Sequence, residues 1–418
     1  MEDKATETGI KDNIVIGLTG SLCSGCKTAS EFLQKMGFKV FTLTSPVRKH
    51  AKEHHIEMIR RNLQQIGDTL RKNNPRFVQR GSKTVKRYDF LVTEVIKDIK
   101  KELSQSSQQS YEGIVIKSLR NHHEVFSLRE EFPNFYLFNV DASRETRWKR
   151  ALKEYPTNYT NTETGKNDFE RDDEKDSGER EKEYGQHVSR CVDLADIVIS
   201  NEGTRTKLKE TLKKYIEIIK GNKRYRPNDD ELRMDQAVQI SKKSGCLNRE
   251  VGAVIEKDGS TIADGFNSAP FNQKFIKPCK DVGLCIRNEQ KRCRNDNKCT
   301  AQISFIGSEC LSCGFPISKQ QKEILTKDLD LCIAVHAEER AILRSDRTYL
   351  KGATLYTTLF PCLLCAKKIV EVGIKKLVYI DPYPYPYVYE MLKGSGINIQ
   401  KFQGVKGIAL DRLYSKGP

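Results

Sequence analysis

His336, Cys362 and Cys365, with Glu338 two residues beyond the histidine, are the residues of this 418-residue sequence best suited to chemistry. A catalytic Zn²⁺ takes three protein ligands and keeps its fourth tetrahedral position for water. A carboxylate that is not a ligand can then move that water's protons. The spacing has a physical reason. His336-Ala337-Glu338 opens the run HAEERAILRS, rich in helix formers, whose Ala341, Ile342 and Leu343 can face a core. Pro361 suits the first turn of a second helix, CLLCAKKIVEVG, because its missing N–H has no intrahelical partner to lose there. Cys362 and Cys365 then share one face of that turn, where a helix N-terminus favours thiolate, the form that binds metal. Two helix starts thus aim His336, Cys362 and Cys365 at one ion, with Glu338 as the catalytic residue. Of the seven histidines only His336 lies beyond residue 187, so it has no rival there.

The elements that must position these residues divide into two units. Residues 1–221 and 228–418 read as separate domains, joined at 222–227 by a polar, basic stretch with the composition of a short linker. The second opens with a helix that starts at Asn228 or Asp229. VGAVIEKDGSTIADGFN follows as two short strands around Asp258-Gly259, a strong hairpin signal. The HAE helix, the strand ATLYTTL, the PCxxC helix and the strand KKLVYI come next, an order that predicts an α/β sandwich with a mixed sheet.

The H-x-E…P-C-x-x-C pattern is the signature of zinc nucleobase deaminases. VGAVIEKDGSTIADGFNSAP, CIAVHAEERAIL, KGATLYTTLFPCLLCAKKIVEVGIKKLVY and FQGVKGIALDRLY together resemble the deoxycytidylate deaminase branch of the cytidine deaminase-like fold. The resemblance implies an α/β/α sandwich and attack of zinc-activated water on C4 of cytosine. It further implies that Glu338 takes a proton from the water, protonates N3 and helps ammonia leave, that Asn267 in the FNSAP loop contacts the nucleotide, and that the protein is a homo-oligomer, in this branch often a hexamer. Residues about 275–330 depart from the branch. Cys279, Cys285, Cys293, Cys299, Cys310 and Cys313 crowd there among Lys and Arg, so that either four of the six hold a second, structural zinc or the segment is a reduced loop.

The first unit opens with IVIGLTGSLCSGCKTASEFLQKMGF: apolar strand, Gly-rich loop, helix. This is the layout of a phosphate-binding loop, G-x-x-x-x-G-K-[ST]. Gly20 and Gly25 hold the glycine positions and Ser21, Ser24 and Thr28 lie around them, but Cys26 stands where the lysine belongs and Lys27 where the hydroxyl that binds Mg²⁺ belongs. A cysteine cannot neutralise a γ-phosphate, whereas backbone N–H groups and Lys27 can still hold one. YEGIVIKSLRNHHEV, NFYLFNVDASRETRWKRAL and CVDLADIVISNEGTRTKLKETL resemble the nucleoside-monophosphate and dephospho-coenzyme A kinase fold. In that pattern an acidic residue ends the strand IVI; here it is Lys117. Residues 159–187, a charge run, read as a lid over a nucleotide or as a solvated loop, the latter being the commoner fate of such runs.

The whole chain resembles the bacterial anti-phage dCTP/dCMP deaminases, a degenerate kinase-like domain fused to a deaminase. That resemblance implies depletion of deoxycytidine nucleotides during infection, with the first unit regulatory and an RNA or small protein as inhibitor. Alternative readings are a polynucleotide cytidine or adenosine deaminase acting on RNA or single-stranded DNA, and a housekeeping dCMP deaminase feeding dTMP synthesis. A protein with a purely structural zinc fits poorly, since such a site has four protein ligands and no use for Glu338. Composition bounds these readings. The formal net charge of +16 attracts phosphates without choosing between mononucleotide and nucleic acid. No run approaches the ~18 apolar residues of a membrane helix. The polar N-terminus MEDKATETGIKDN is unlike a signal peptide, and thirteen cysteines, an odd number, read as metal ligands and free thiols, so the expected location is cytoplasmic.

Overall fold

The computed structural model describes residues 13–81, 83–105, 111–156, 158–178, 181–270, 277–285, 287, 332–381 and 386–416. The chain forms two compact units, one of residues 1–227 with 403–418 and one of residues 228–402.

In the first unit, β1 (Val15–Thr19), β2 (Phe38–Thr42), β5 (Gly113–Lys117), β6 (Phe135–Asp141) and β7 (Ile197–Ser200) form a parallel sheet in the order β2-β5-β1-β6-β7. Continuous apolar runs such as VIGLT and FYLFNV are what a sheet covered on both faces requires. Ile16, Leu18, Phe138 and Ile199 pack on one core cluster, Val15, Ile114, Ile116 and Leu137 on another. The helix α1 (Cys26–Lys35) follows β1 directly. Gly25 precedes it at φ 114°, where a Cβ would come within 2.1 Å of Asn201 Nδ2. β3 (Arg76–Arg80) and β4 (Lys83–Arg87) form a separate antiparallel hairpin. Further helices include α2 (His122–Glu131), α3 (Arg144–Glu154), α4 (Glu163–Ser177) and α5 (Arg205–Ile219).

Within the charge run at 159–187, residues Glu163–Ser177 form the helix α4 rather than a loop. Thr162 caps α4 and left-handed Gly178 ends it. Asp173 and Asp176 are buried because arginines neutralise them: Arg147 grips Asp173 with Nη1 and Nη2 at 2.5 and 2.8 Å, and Arg120 pairs with Asp176. A carboxylate leaves water only when such a partner offsets its desolvation.

In the second unit, α6 (Asp229–Ser241) starts with a reciprocal capping box between Asn228 and Glu231. β8 (Gly252–Lys257) and β9 (Ser260–Phe266) are joined by Asp258-Gly259, both with positive φ, the type I′ turn that Asp-Gly favours. α7 (Ala337–Arg344), β10 (Thr354–Leu359), α8 (Leu363–Glu371), β11 (Lys376–Asp381) and β12 (Asn398–Lys401) complete a mixed sheet, β12-β11-β10-β8-β9. A Cβ on Gly252 would strike Ala237 O of α6 at 2.0 Å, and one on Gly265 would strike Ala337 O of α7 at 2.1 Å. Gly252 pairs with Phe266, next to Gly265, so these two glycines point to opposite faces of the sheet. The helices α6 and α7 therefore cover opposite faces, as a sandwich requires.

One expected boundary moves. Residues 403–418 do not belong with 228–402. β13 (Gly404–Val405) adds antiparallel to β7, and α9 (Ile408–Tyr414) sinks Ala409, Leu410 and Leu413 into the same core as Leu212 and Ile216 of α5. The guanidinium of Arg412 lies 4.3 Å from the Tyr136 ring centre and donates to the carbonyls of Phe135 and Pro133. The apolar pattern of FQGVKGIALDRLY specifies a helix with a buried face, whichever core receives it. Leu413→Ala is expected to cost about 2–4 kcal/mol in the melting transition of the first unit while leaving zinc content and the transition of the second unchanged, measured by calorimetry with metal analysis.

Candidate active site

His336 is the N-cap of α7 and Cys362 the N-cap of α8, so Pro361 lies just ahead of its helix rather than inside the first turn. Glu338 and Cys365 stand in the opening turns of the same two helices. The Nδ1 of His336 is 3.3 Å from Cys362 Sγ and 3.4 Å from Cys365 Sγ, and the three ligand atoms lie within 4.8 Å of one another. Tetrahedral zinc with Zn–S of about 2.3 Å and Zn–N of about 2.0–2.1 Å places S and N about 3.6 Å apart. Two thiols and an imidazole at this spacing are therefore a fitting zinc set.

The electrostatics suit the same chemistry. Hydrogen bonding from Cys365, opposed by burial and aided by His336, lowers the Cys362 thiol, while the bond to Cys362 and then burial raise Cys365. The pair thus holds one proton between them, which a metal would displace. Hydrogen bonds to Cys332 and Cys362 raise the His336 ring to about 10. Glu338 is 4% exposed, and burial pushes its carboxyl up to about 7. That is the range in which a carboxyl can both take and return a proton at neutral pH.

Residues 227–381 match the family described as the cytidine and deoxycytidylate deaminase zinc-binding region. The deoxycytidylate deaminase of Enterobacteria phage T4 is 36% identical over 172 residues, covering 39% of this chain and 84% of the phage protein. The chain belongs to the cytidine and deoxycytidylate deaminase family. The deoxycytidylate deaminase of Schizosaccharomyces pombe is 26% identical over 392 residues, 93% of this deaminase-family chain and 97% of the yeast protein. Among solved structures, the dCMP deaminase of cyanophage S-TIM5 in apo form is 21% identical, covers 43% of this chain and all of its own, and has a TM-score of 0.27.

Around the zinc set of this family member stand residues that sequence reasoning did not single out. The neighbouring His336 ring lowers the Cys332 thiol; its signal in the sequence is a cysteine four residues ahead of a candidate ligand histidine. Arg340 is buried and donates to the carbonyls of Phe266, Ser268 and Ala269 at 2.8, 2.7 and 3.0 Å. Val335 and Ser268 bridge as well. The FNSAP loop is thereby tied to the start of α7. Asn267 in that loop accepts from Val251 N–H and donates to Arg249 O, both at 2.8 Å, so its amide pins the loop to the chain before β8 and keeps one N–H and one lone pair. Cys293, Cys299, Cys310 and Cys313 lie outside the described residues. Cys279 opens a helix of one turn, Cys279–Val282, and Cys285 Sγ accepts from Asn248 Nδ2 at 3.4 Å; among the described residues neither joins a cluster of metal ligands.

The first unit of this deaminase-family protein holds its own cavity of about 670 Å³, and Gly20, Ser21, Ser24, Gly25, Cys26, Lys27 and Thr28 all line it. Cys26 turns its thiol back to Thr19 O at 3.2 Å, and burial raises it, so it offers the cavity no charge. Elsewhere in the unit His122, His123 and Glu183 come together. There Arg190 Nη1 lies 3.3 Å from His122 Nε2 and 3.1 Å from both Glu183 oxygens, taking the place a metal cation would need. Burial, then the neighbouring His123, Arg190 and His187, push His122 down to about 3.

Two outcomes follow from these environments. Cys365→Ser is expected to lower bound zinc well below one equivalent, read by elemental analysis of the purified protein. For His122 the folded state resists a proton that the unfolded chain accepts below about 6.5, so stability is full above that pH and drains away as pH falls toward 3. Its share of the loss is on the order of 1–2 kcal/mol at about pH 5, and His122→Asn should flatten the fall in melting temperature between about pH 7 and 5.

Proposed function

We infer that the second unit hydrolyses the exocyclic amine of deoxycytidine nucleotides, turning dCMP, dCTP or both into the deoxyuridine nucleotide plus ammonia. The observation that carries this reading is a buried Glu338 in the opening turn of α7, beside His336, Cys362 and Cys365 at zinc-binding distances. Bound at these three donors, zinc lowers the pKa of water to about 7 and so makes it a nucleophile at neutral pH. Glu338 accepts that water's proton and delivers it to N3 of the cytosine, then takes the proton of the hydroxyl added at C4 and passes it to the amine, which leaves as ammonia as the C4 carbonyl forms. Arg340 and Asn267 tie the 266–269 loop to α7 and to the chain before β8, and this reading assigns the remaining N–H and lone pair of Asn267 to the sugar and base of the substrate. The yeast relative that matches along 93% of the chain bears the name deoxycytidylate deaminase, which favours the monophosphate. Drawdown of dCTP during phage infection extends the same reading, supported by the fusion of a kinase-like unit to a deaminase unit.

The first unit, in this reading, is regulatory. It binds a nucleotide's phosphates through the loop of Gly20, Ser21, Ser24, Gly25, Cys26, Lys27 and Thr28.

Purified protein incubated with dCMP, dCTP and CMP, with zinc confirmed by elemental analysis, tests the catalytic proposal. Deoxyuridine nucleotide should form from at least one deoxy substrate. Glu338→Gln should keep zinc and fold yet lose about 10²–10⁴-fold in rate. Turnover that survives this substitution, or no product from any of the three nucleotides, sinks the assignment.

A further inference from the structure

The cavity in the first unit has lost the residues that phosphate-binding loops use for a Mg²⁺–nucleotide complex, yet it has not lost positive charge. Eight Lys or Arg residues line it against two glutamates, Glu31 and Glu154. Of these glutamates, Glu154 already faces Lys27 at 3.9 Å. The end of β5 carries Lys117 into the lining, at the position where the kinase-like pattern has an acid. Mg²⁺ is held by carboxylates and hydroxyls around phosphates, and a lysine ammonium at that place repels it.

The cations are of two kinds. Arg150 is committed to the scaffold: it donates to Ser24 O at 3.1 Å and to Asn201 O at 2.6 Å, clamping the loop. Arg48, Lys117, Lys153 and Arg205 line the cavity with no hydrogen-bond or ion-pair partner among the described residues. Arg60 is intermediate. Its Nε and Nη2 are buried and make no hydrogen bond, although Asp176 lies at 3.6 Å and Asp172 at 4.0 Å. Buried guanidinium donors without an acceptor cost free energy unless something supplies one. Phosphate oxygens are the acceptors that an arginine fork fits best.

Resting on the reading that this unit holds a nucleotide's phosphates, we propose that the cavity binds a polyphosphate chain without a divalent cation. Arg48, Arg60, Lys117 and their neighbours replace both the absent loop lysine and the absent Mg²⁺. The ligand class is a nucleoside triphosphate or an inorganic polyphosphate in its metal-free form, and the unit is a receptor for it rather than a phosphoryl-transfer site.

The test is calorimetric titration of the full-length protein with ATP and with inorganic tripolyphosphate, neither of which has an amine that the second unit is proposed to remove from cytosine. Each is run in magnesium-free buffer and with about 5 mM Mg²⁺, well above the level that converts such ligands to their Mg²⁺ complexes, with zinc content followed throughout. Wild-type affinity should be as high without Mg²⁺ as with it. Binding of ATP alone would identify a nucleoside triphosphate as the ligand, and equal binding of both would identify the phosphate chain itself. Lys117→Met and Arg48→Met should each weaken metal-free binding by about tenfold or more, the worth of a charge-assisted hydrogen bond. Lys117→Asp should weaken it likewise but regain affinity when Mg²⁺ is added. Arg48 is exposed, so its variant separates lost binding from lost fold. Wild-type binding that appears only with Mg²⁺ overturns the metal-free proposal while leaving a phosphate site in place. Absence of binding in both buffers overturns that site as well.

Discussion

The second unit depends on one close backbone contact, that of β9 with α7. Because Gly265 has no Cβ, the carbonyl of Ala337 can sit where that atom would be, and the first turn of α7 lies directly on the sheet. This approach sets where His336 and Glu338 begin, since both stand at the opening of α7. The other half of the metal set hangs from β10, whose end runs through Phe360 and Pro361 into the cap of α8 at Cys362. Ligand atoms 3.3–3.4 Å apart leave little tolerance: a shift of α7 by one Cβ diameter would separate imidazole from thiols. The sandwich core of Ala253, Ile255, Ala337, Ala341, Leu355 and Ile369 keeps those helix starts in register, with small residues where backbones approach and larger ones between.

The first unit follows a different economy, in which charge rather than apolar burial organises the region around the cavity. Asp173 and Asp176 of α4 are drawn inward by Arg147 and Arg120, and Arg150 clamps the loop through Ser24 and Asn201. The two ion pairs are expensive to bury, and each buried carboxylate keeps an arginine partner that offsets its desolvation. The same logic leaves a residue of unsatisfied cation around the loop. Cys26 and Lys117 belong to that arrangement: the first brings no charge to the loop and the second adds a base to the cavity lining.

Much of the candidate site's geometry was legible from spacing because it is local. His336 and Glu338 are two residues apart, Cys362 and Cys365 three, and a helix start converts those spacings into direction. The capping box at Asn228 and the Asp-Gly turn were legible for the same reason. Arg340 and Cys332 were not, because their partners are a carbonyl loop some seventy residues away and an imidazole whose orientation depends on α7. The Asn267 amide, expected at the substrate, also holds Val251 and Arg249, which residue type and spacing do not reveal.

Residue type and short spacing in the sequence carry the candidate donor set, the proposed general acid and base, and the placing of Cys26 after Gly25. Long-range packing added Gly404–Val405 to the sheet of the first unit and made Glu163–Ser177, within the acidic run, a helix with one buried face. It also left Arg48, Lys117, Lys153 and Arg205 in the cavity lining without a hydrogen-bond or ion-pair partner among the described residues. The physical reason is common to all three: an amphipathic segment or a charge has no preferred partner until long-range packing brings one within reach, as it does for Leu413 and Asp176 through contacts distant in sequence.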